Sequence, residues 1–350
     1  MSKKSTRGFK VNKTRPEPKA IDEYLNKYVV NKKFYSYLPN RSDFGIVKEL
    51  IPELKRGEFL VKTLYISADP YMRSFADHMT VPYDQFGFQV GIVVKSKNND
   101  FPVDSRVVSH AGWRDHAVLN GSPDMTFDIK PYIPNIEGLT LSMSIGALGS
   151  NGISAYLGLT EILRVRPKNV VCVTSAASGI GSMATQIARL KQCTVIGVCE
   201  SDEKVKVLLE EFGVHYAINS KTEPDIRSHL RTIAPEGINC FFDNIGGSLA
   251  EKIYDCMHQN GRVAVYGSKV DTLRPTEKYI ICKNSCVIQS ISFEQWPWYK
   301  QVAAIDQLRT WIENGDIKVR ETVQIGFDTL PDALISCLKR EHIGMTLVQL

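Results

Sequence analysis

The stretch that decides the fold spans residues 169–204 and reads NVVCVTSAASGIGSMATQIARLKQCTVIGVCESDEK. The uninterrupted apolar run at 170–173 predicts a strand that is buried on both faces. A turn of small residues follows, and after it come a predicted helix over 182–190 and a second strand over 194–198. This succession of strand, tight turn, helix and strand is typical of a parallel sheet that holds a dinucleotide.

The turn after the first strand is the predicted phosphate site. Its side chains are small enough for the backbone to approach a pyrophosphate, and the first amides of the helix lack intrahelical acceptors. The pattern G-x-G-x-x-G is absent, and Ala176-x-Ser178-x-x-Gly181 stands in its place. A plain packing turn without a ligand is the alternative. The cofactor-binding residues that we expect here are Ala177, Ser178, Gly179, Ile180 and Gly181.

The composition indicates a folded protein rather than a disordered one. The chain has 350 residues, 43% of them hydrophobic, and a formal net charge of +5. Seven lysines and arginines fall within the first 20 residues. The remainder is therefore close to neutral, and no basic face predicts nucleic-acid binding. The absence of any 18-residue apolar run argues against a membrane protein. The basic arm is either a disordered tail, which we favour, or a transit peptide.

The cysteines indicate a reducing compartment, so we expect a cytoplasmic protein. All eight lie at or after Cys172, no two form C-x-x-C, and several stand inside apolar runs. Cys282 and Cys286 have a spacing that occurs in zinc sites. Because no second pair and no histidine cluster accompanies them, we predict no metal site.

The order of elements predicts an α/β fold. Short strands dominate residues 33–119, after a short helix at 21–30. Helices at 139–148 and 153–163 follow, and strands then alternate with helices to about residue 295, as in a doubly wound parallel sheet. We expect a flexible N-terminal extension over 1–30, a β-rich substrate domain over 31–149, a Rossmann cofactor domain over 150–294, and a segment over 295–350 that returns to the substrate domain.

Two charged residues after the second strand predict different cofactors. Lys204 lies on the loop that faces the adenosine ribose in this fold, where it can pair with the 2′-phosphate of NADP. Glu200 lies at the tip of the strand, where an acidic residue usually accepts a hydrogen bond from the 2′-hydroxyl of NAD. Lys204 is otherwise an exposed lysine at the start of a helix. NADP is the favoured cofactor, and NAD is not excluded.

Further candidates lie at other strand ends. Asn244 follows the predicted strand at 239–243 and either hydrogen-bonds the nicotinamide half of a cofactor or caps a helix. The next strand ends in Tyr266, Gly267 and Ser268, to which the same cofactor-binding logic applies. In the first domain, residues 69–73 read DPYMR and predict a helix start beside the cleft. We favour a structural corner there, with Tyr71 as the catalytic alternative.

Taken together, these segments resemble the zinc-independent medium-chain dehydrogenase/reductases, and most closely their prostaglandin reductase, leukotriene hydroxydehydrogenase and alkenal double-bond reductase branch. The resemblance is carried by VKTLYISADPYMR (61–73), GALGSNGISAYLGL (146–159), FDNIGG (242–247) and GRVAVYG (261–267). It implies a GroES-like β domain, a Rossmann domain and a homodimer. It also implies a metal-free, NADPH-dependent reduction of the carbon–carbon double bond of small α,β-unsaturated ketones or aldehydes, such as 15-oxo-prostaglandins or alkenals, with hydride transfer to the β-carbon.

Several residues depart from that family's pattern. Ser178 stands at the middle glycine of the phosphate turn, and Ser220 replaces a tyrosine expected to bind the 2′-phosphate. The family's Met-Pro is Ser150-Asn151, and His342 replaces an asparagine near the end of the chain. Thr272 stands where a tyrosine reaches the cofactor ribose or the substrate oxygen, and a threonine is a poorer stabiliser of an enolate. The resemblance makes Ser220 and His342 cofactor-binding and Thr272 catalytic.

These departures leave three hypotheses open. The first and favoured one is an active enone reductase that uses NADPH. The second is a diverged protein that binds the cofactor with little catalysis. The third is a quinone oxidoreductase.

Overall fold

A computed structural model describes residues 20–31, 38–76, 79–124, 128–266 and 284–350. The β-rich part holds two sheets, which frame one side of the cleft. An antiparallel sheet is formed by β1 (Ala20–Asn31), β2 (Phe44–Pro52) and β4 (Tyr83–Asp84). A six-stranded sheet contains β3 (Phe59–Ser67), β5 (Gln89–Ser96), β6 (Arg106–Ser109), β7 (His116–Leu119), β14 (Glu321–Ile325) and β15 (Met345–Gln349).

The third sheet is fully parallel and is the predicted doubly wound sheet. Its strands are β8 (Val170–Thr174), β9 (Thr194–Cys199), β10 (Tyr216–Asn219), β11 (Ile238–Asp243), β12 (Met257–Tyr266) and β13 (Val287–Ile291). Their spatial order is β10-β9-β8-β11-β12-β13. The chain reverses direction across the sheet between β8 and β11, and ligands of such sheets bind at that switch point, beyond the carboxyl ends of the strands.

Helices cover both faces of the parallel sheet. The described α-helices are α1 (Tyr71–Ala76), α2 (Ser150–Leu157), α3 (Gly179–Leu190), α4 (Asp202–Glu210), α5 (Ile226–Ile233), α6 (Gly247–Tyr254), α7 (Trp298–Glu313) and α8 (Leu330–Leu338). α3 packs in the core on one face, and α5 and α6 pack in the core on the other, whereas α1 and α8 pack in the core of the β-rich part. Alternate residues of β8 show the double burial: Val171 and Val173 belong to one hydrophobic core, and Cys172 belongs to the other. The predicted α/β fold class is therefore confirmed.

The end of the chain joins the two parts of the molecule. β15 pairs antiparallel with β3, with Leu347 opposite Ser67, and parallel with β14. Just before β15, the amide of Gly344 donates to the carbonyl of Ala177 at 2.8 Å. This contact holds the chain end of the β-rich part directly against the phosphate turn.

Two predicted helices are wrong. Residues 21–30 form strand β1, because β2 offers an antiparallel partner over most of its length and pairing outweighs the weak helical spacing. Of the predicted helix over 139–148, only the 3-10 turn Leu141–Ser144 is formed. Gly146, which follows this turn, packs closely against Met345. A side chain at Gly146 would meet the Met345 sulfur at 2.7 Å.

Within the described part of the chain, none of the helices combines the length and the apolar character that a membrane crossing requires. The same residues contain no group of three or more His, Cys, Asp or Glu side chains able to hold a metal ion. Cys282 lies outside the described residues.

Candidate active site

The phosphate turn is held in a tight and partly strained conformation. Ser175 has a positive φ of 48°, and the next amide, that of Ala176, donates to Val198 of the neighbouring strand at 3.0 Å. A Cβ at Gly181 would meet the carbonyl oxygen of Ser175 at 2.1 Å, so only glycine fits this helix start. The backbone is therefore as closely packed here as a dinucleotide turn requires.

Ser178 is the N-cap of α3. Its hydroxyl accepts a hydrogen bond from the Gly181 amide at 3.3 Å. The amides of Gly179 and Ile180 come before the first intrahelical bond, so helix geometry leaves them directed outward at the positive end of the helix dipole. A pyrophosphate has these two donors available, while the serine takes up the third.

Lys204 and Glu200 form an ion pair with each other. The Lys204 ammonium donates to the Glu200 carboxylate and also to the backbone carbonyl of Arg340 at 2.6 Å. Lys204 is only 5% exposed, which contradicts the alternative of an exposed lysine at a helix start. Lys204, which predicts NADP, and Glu200, which predicts NAD, are therefore in direct contact, and the carboxylate offsets much of the lysine charge.

A cavity of about 500 Å³ opens beside this ion pair. His342 lies on its wall, and its Nε2 is 2.8 Å from the Ser336 hydroxyl. Burial lowers the pKa of His342, so its ring is neutral at pH 7. The lining residues are Glu200, Ser201, Glu203, Lys204, Lys221, Arg320, Glu321, Thr322, Lys339, Arg340, Glu341, His342 and Ile343. Five of them are lysines or arginines and four are glutamates, so the positive charges of the lining exceed the negative ones by one.

Ser220 lies at the end of β10, next to this cavity wall. Its hydroxyl donates to the Cys199 carbonyl at 2.9 Å, and its amide donates to the same oxygen at 2.7 Å. The hydroxyl hydrogen of Ser220 is therefore already engaged in a hydrogen bond to the Cys199 carbonyl. A phosphate at this position would have to displace that hydrogen bond to gain the serine as a donor.

Asn244 is fixed by the neighbouring strand end. Its amide nitrogen Nδ2 donates to the Thr174 carbonyl at 2.7 Å, and its backbone N–H donates to the Thr174 hydroxyl at 2.9 Å. The alternative that Asn244 caps a helix is wrong, because the N-cap of α6 is Gly246 and its amide bonds to Asp243. The buried Oδ1 of Asn244 has no partner in the described structure. It is an acceptor available to a carboxamide.

Tyr71 lies at the start of α1, where the chain enters the cleft. Its hydroxyl is hydrogen-bonded to Nε2 of His110 at 2.9 Å. Burial, reinforced by the charge of Asp69, raises the pKa of Tyr71 well above its usual range. Tyr266, at the end of β12, is close enough to add to this effect, and burial raises the pKa of Tyr266 as well. The structure thus brings the predicted catalytic tyrosine near one predicted cofactor residue.

The DPYMR pattern predicts that the Asp69 side chain caps α1, and the structure does not show this cap. The Oδ1 of Asp69 instead accepts from Nδ2 of Asn151, on α2, at 2.8 Å, and its Oδ2 is buried without a partner in the described structure. Burial raises the pKa of Asp69. Asn151, which departs from the family pattern, therefore supplies a hydrogen bond that joins α2 to the Asp69 carboxylate.

Three predicted site residues, Gly267, Ser268 and Thr272, lie outside the described residues. Sequence reasoning did not find His110, Asp124 or Asn151. His110 carries no motif, and its contacts with Tyr71 and Asp124 span 39 and 14 positions of the chain, so no local pattern could indicate them.

Known families cover both parts of the chain. Residues 27–126 match a family described as the N-terminal domain of oxidoreductase, and residues 179–307 match one described as zinc-binding dehydrogenase. Prostaglandin reductase 1 of Bos taurus is 34% identical over 332 residues, covering 93% of this chain and 99% of that protein. The NADP(+)-dependent 2-alkenal reductase of Nicotiana tabacum is 28% identical, with coverages of 93% and 98%.

Solved structures show the same fold. CurA from Vibrio vulnificus superimposes with a TM-score of 0.83 at 24% identity, covering 93% of this chain and 98% of its own. Quinone oxidoreductase of Escherichia coli, solved with NADPH, reaches a TM-score of 0.77 at 17% identity, covering 93% of this chain and 100% of its own. With full-length relatives above 30% identity and this shared two-domain fold, the chain belongs to the zinc-independent medium-chain dehydrogenase/reductases, in the branch of the prostaglandin and alkenal reductases.

Proposed function

We propose that the protein is an oxidoreductase that uses NADPH to reduce the carbon–carbon double bond of α,β-unsaturated ketones or aldehydes. The observation that carries the proposal is the closeness of the dinucleotide turn to a buried tyrosine: Asn151, which a Cβ at Gly179 would meet at 3.6 Å, donates to Asp69, two positions before Tyr71. Relatives named prostaglandin reductase, 2-alkenal reductase and pulegone reductase support the substrate class. The names differ in their substrates, so the class rather than one molecule is proposed.

The residues present fit NADPH. The glycine-only contact between Gly181 and the Ser175 carbonyl keeps the turn tight, and the amides of Gly179 and Ile180 would bind the pyrophosphate. The cavity beside Lys204, with lysines, arginines and glutamates in its lining, would hold the 2′-phosphate against the Lys204 ammonium, with His342 on its wall. The unpartnered Oδ1 of Asn244 would accept from the nicotinamide carboxamide. These residues thus offer hydrogen-bond donors to the phosphates and an acceptor to the carboxamide of the cofactor.

Bound NADPH supplies the hydride that reaches the β-carbon of the enone. This chain must then supply a proton to the resulting enolate. The Tyr71 hydroxyl is hydrogen-bonded to His110 and carries its proton at neutral pH, so Tyr71 is the proposed proton donor. Thr272 remains a catalytic prediction, and Gly267 and Ser268 remain cofactor-binding predictions.

We place the hydrocarbon part of the substrate against the aromatic side chains that pack around Phe88. Phe88 contacts the ring of Phe293 with centroids 5.4 Å apart, and the nearby Tyr132 contacts Trp298 at 5.0 Å. Such walls exclude water from the reacting bond and bind the hydrocarbon part of an enone. We further propose a homodimer, which light scattering on the purified protein would test directly.

The test of the proposed function is a two-part assay on the purified protein. NADPH and NADH are first titrated by their fluorescence, and oxidation of the preferred cofactor is then followed with enones and quinones side by side. We expect NADPH to bind more tightly and its oxidation to require an enone. Turnover with quinones alone would support the quinone oxidoreductase. Cofactor binding without turnover across the panel would support the diverged, weakly catalytic protein.

A further inference from the structure

Tyr71 is the first of three polar side chains in a row. Its hydroxyl lies 2.9 Å from Nε2 of His110, and Nδ1 of the same ring lies 3.7 Å from Oδ2 of Asp124. Tyr71 is partly buried, His110 is 6% exposed, and the Asp124 side chain is 23% exposed. The row therefore leads from the proposed reaction site, through a buried imidazole, to a carboxylate in contact with solvent.

Aromatic rings enclose the imidazole. The Phe88 ring meets His110 nearly edge-on, with centroids 4.8 Å apart, and the Phe86 ring lies at 6.3 Å. Burial lowers the pKa of His110 to about 4, while the charge of Asp124 opposes this effect. The ring is therefore neutral at rest, and the carboxylate favours the tautomer with hydrogen on Nδ1. In that tautomer Nε2 accepts from the Tyr71 hydroxyl.

Asp124 itself is held in place by its own loop. Its Oδ2 accepts from the Ile129 amide at 3.1 Å, and its backbone N–H donates to the Ile129 carbonyl at 3.0 Å. A carboxylate anchored in this way keeps a constant direction toward the ring. It can orient the imidazole and stabilise its protonated form.

We propose that His110, oriented by Asp124, reloads Tyr71 with the proton that each reduction consumes. The inference rests on the proposed function, and it makes His110 and Asp124 positioning residues that act through Tyr71. Neither residue lies in a motif that the sequence indicates. Their role follows from the direct Tyr71–His110 hydrogen bond and from the charge that faces the far side of the ring.

The proton balance closes in two steps. When the enolate forms, the Tyr71 O–H bond breaks and a C–H bond forms at the α-carbon, which leaves an anionic tyrosine beside Nε2. Next to that anion the ring takes up a solvent proton at Nε2, while its Nδ1–H faces Asp124. The Nε2–H bond then breaks and restores the tyrosine hydroxyl. The ring returns to its neutral Nδ1–H form, and the net change is one proton taken from water for each enone reduced.

The first test replaces His110 by Phe, which keeps a ring in the aromatic pocket and removes both nitrogens. We expect kcat for an enone to fall roughly 10- to 100-fold while the KM for NADPH stays unchanged. The solvent isotope effect on kcat should rise, and the effect of deuterated NADPH should shrink, because protonation becomes the slower step. Asp124→Asn keeps the side-chain size and should produce a smaller loss of the same kind.

The matched control is His116→Phe, since His116 forms a similar pair with Asp115 at 3.1 Å on the same sheet. We expect that variant to keep the wild-type isotope effects. Added imidazole should restore part of the activity of His110→Ala, which a purely structural role would not allow. Unchanged kcat and isotope effects in His110→Phe and Asp124→Asn would overturn the inference while leaving the proposed function intact. A wild-type protein without enone turnover would overturn both.

Discussion

At the scale of single residues, cofactor choice depends on the balance between Glu200 and Lys204. The carboxylate neutralises the lysine that a 2′-phosphate needs, and both groups are largely buried, so little salt screening weakens either interaction. We predict that Glu200→Gln tightens NADPH binding about 10-fold, or about 1.4 kcal/mol, with little effect on NADH. Fluorescence titration of both cofactors measures this change. Weaker NADPH binding in Glu200→Gln would show that the carboxylate supports the site.

The opposite substitution tests the lysine. Lys204→Met should weaken NADPH binding by about 10-fold or more and should leave NADH binding nearly unchanged, because only NADPH carries the 2′-phosphate. The chain offers a matched control in the exposed pair Lys206 and Glu210, which is also four residues apart. Lys206→Met should leave both affinities at their wild-type values. Equal losses for NADPH and NADH in Lys204→Met would place the 2′-phosphate elsewhere.

The burial of Asp69 leads to a prediction about how the stability of the folded protein depends on pH. Its pKa is raised in the folded protein by burial, so folding favours the protonated acid and the ionised form costs stability at pH 7. Wild-type stability should therefore gain from this group as the pH falls through the folded pKa. Asp69→Asn removes the titration and should raise Tm at pH 7, with a smaller gain at pH 5. The exposed Asp100→Asn serves as control, and a gain for Asp69→Asn that grows toward pH 5 would contradict the assignment.

At the residue scale, the sequence predicts which residues lie at the site but not which partners their side chains bind. Ser178, Lys204 and Asn244 were predicted as site residues from their places after strands, since strand ends converge at one edge of a parallel sheet. Tyr71 was predicted from the DPYMR corner that follows a strand of the β-rich part. Which partner each side chain takes was not predictable. The Asp69–Asn151 hydrogen bond joins positions 82 apart, and no spacing rule reaches that far.

At the scale of elements, the phosphate turn and α3 form the most constrained unit of the site. Gly181→Ala would place a methyl group against the Ser175 carbonyl, so the turn must open. We predict a loss of about 1–3 kcal/mol in the free energy of unfolding and at least a 10-fold loss in NADPH affinity. Denaturant unfolding and fluorescence titration measure the two effects.

The control for that change is Gly315→Ala at the end of α7. Gly315 has a φ of +76°, and an added Cβ would meet no atom within 4 Å. The substitution should cost about 1 kcal/mol through backbone strain alone and should leave NADPH affinity unchanged. If Gly181→Ala bound NADPH as tightly as Gly315→Ala, the turn would not be the pyrophosphate site.

Elements were predicted well where one physical signal dominated. The buried strand β8 is a short apolar run, and its burial on both faces was expected from that pattern. The segment at 21–30 was mistaken for a helix because its strand form depends on β2, a partner that the local sequence does not reveal.

At the scale of the whole molecule, the site is assembled from distant parts of the chain. The Lys204 ammonium on α4 donates a hydrogen bond to the Arg340 carbonyl after α8. The Gly344 amide donates to the Ala177 carbonyl in the phosphate turn. A cofactor that binds only this assembled state must stabilise the entire fold. NADPH at 100 times its Kd should add about 2.7 kcal/mol to the free energy of unfolding. Thermal unfolding should show a larger rise in Tm with NADPH than with NADH, and the reverse order would contradict the cofactor assignment.

The central claim is the reduction of a carbon–carbon double bond, and isotope transfer tests it most directly. The purified protein is incubated with an enone and with NADPH deuterated at the transferred nicotinamide position, and the product is analysed by mass spectrometry and NMR. We predict a saturated ketone or aldehyde with one deuterium on the β-carbon and a solvent-derived hydrogen on the α-carbon. An unsaturated alcohol with deuterium on the carbonyl carbon, or no reduced product at all, would contradict the claim.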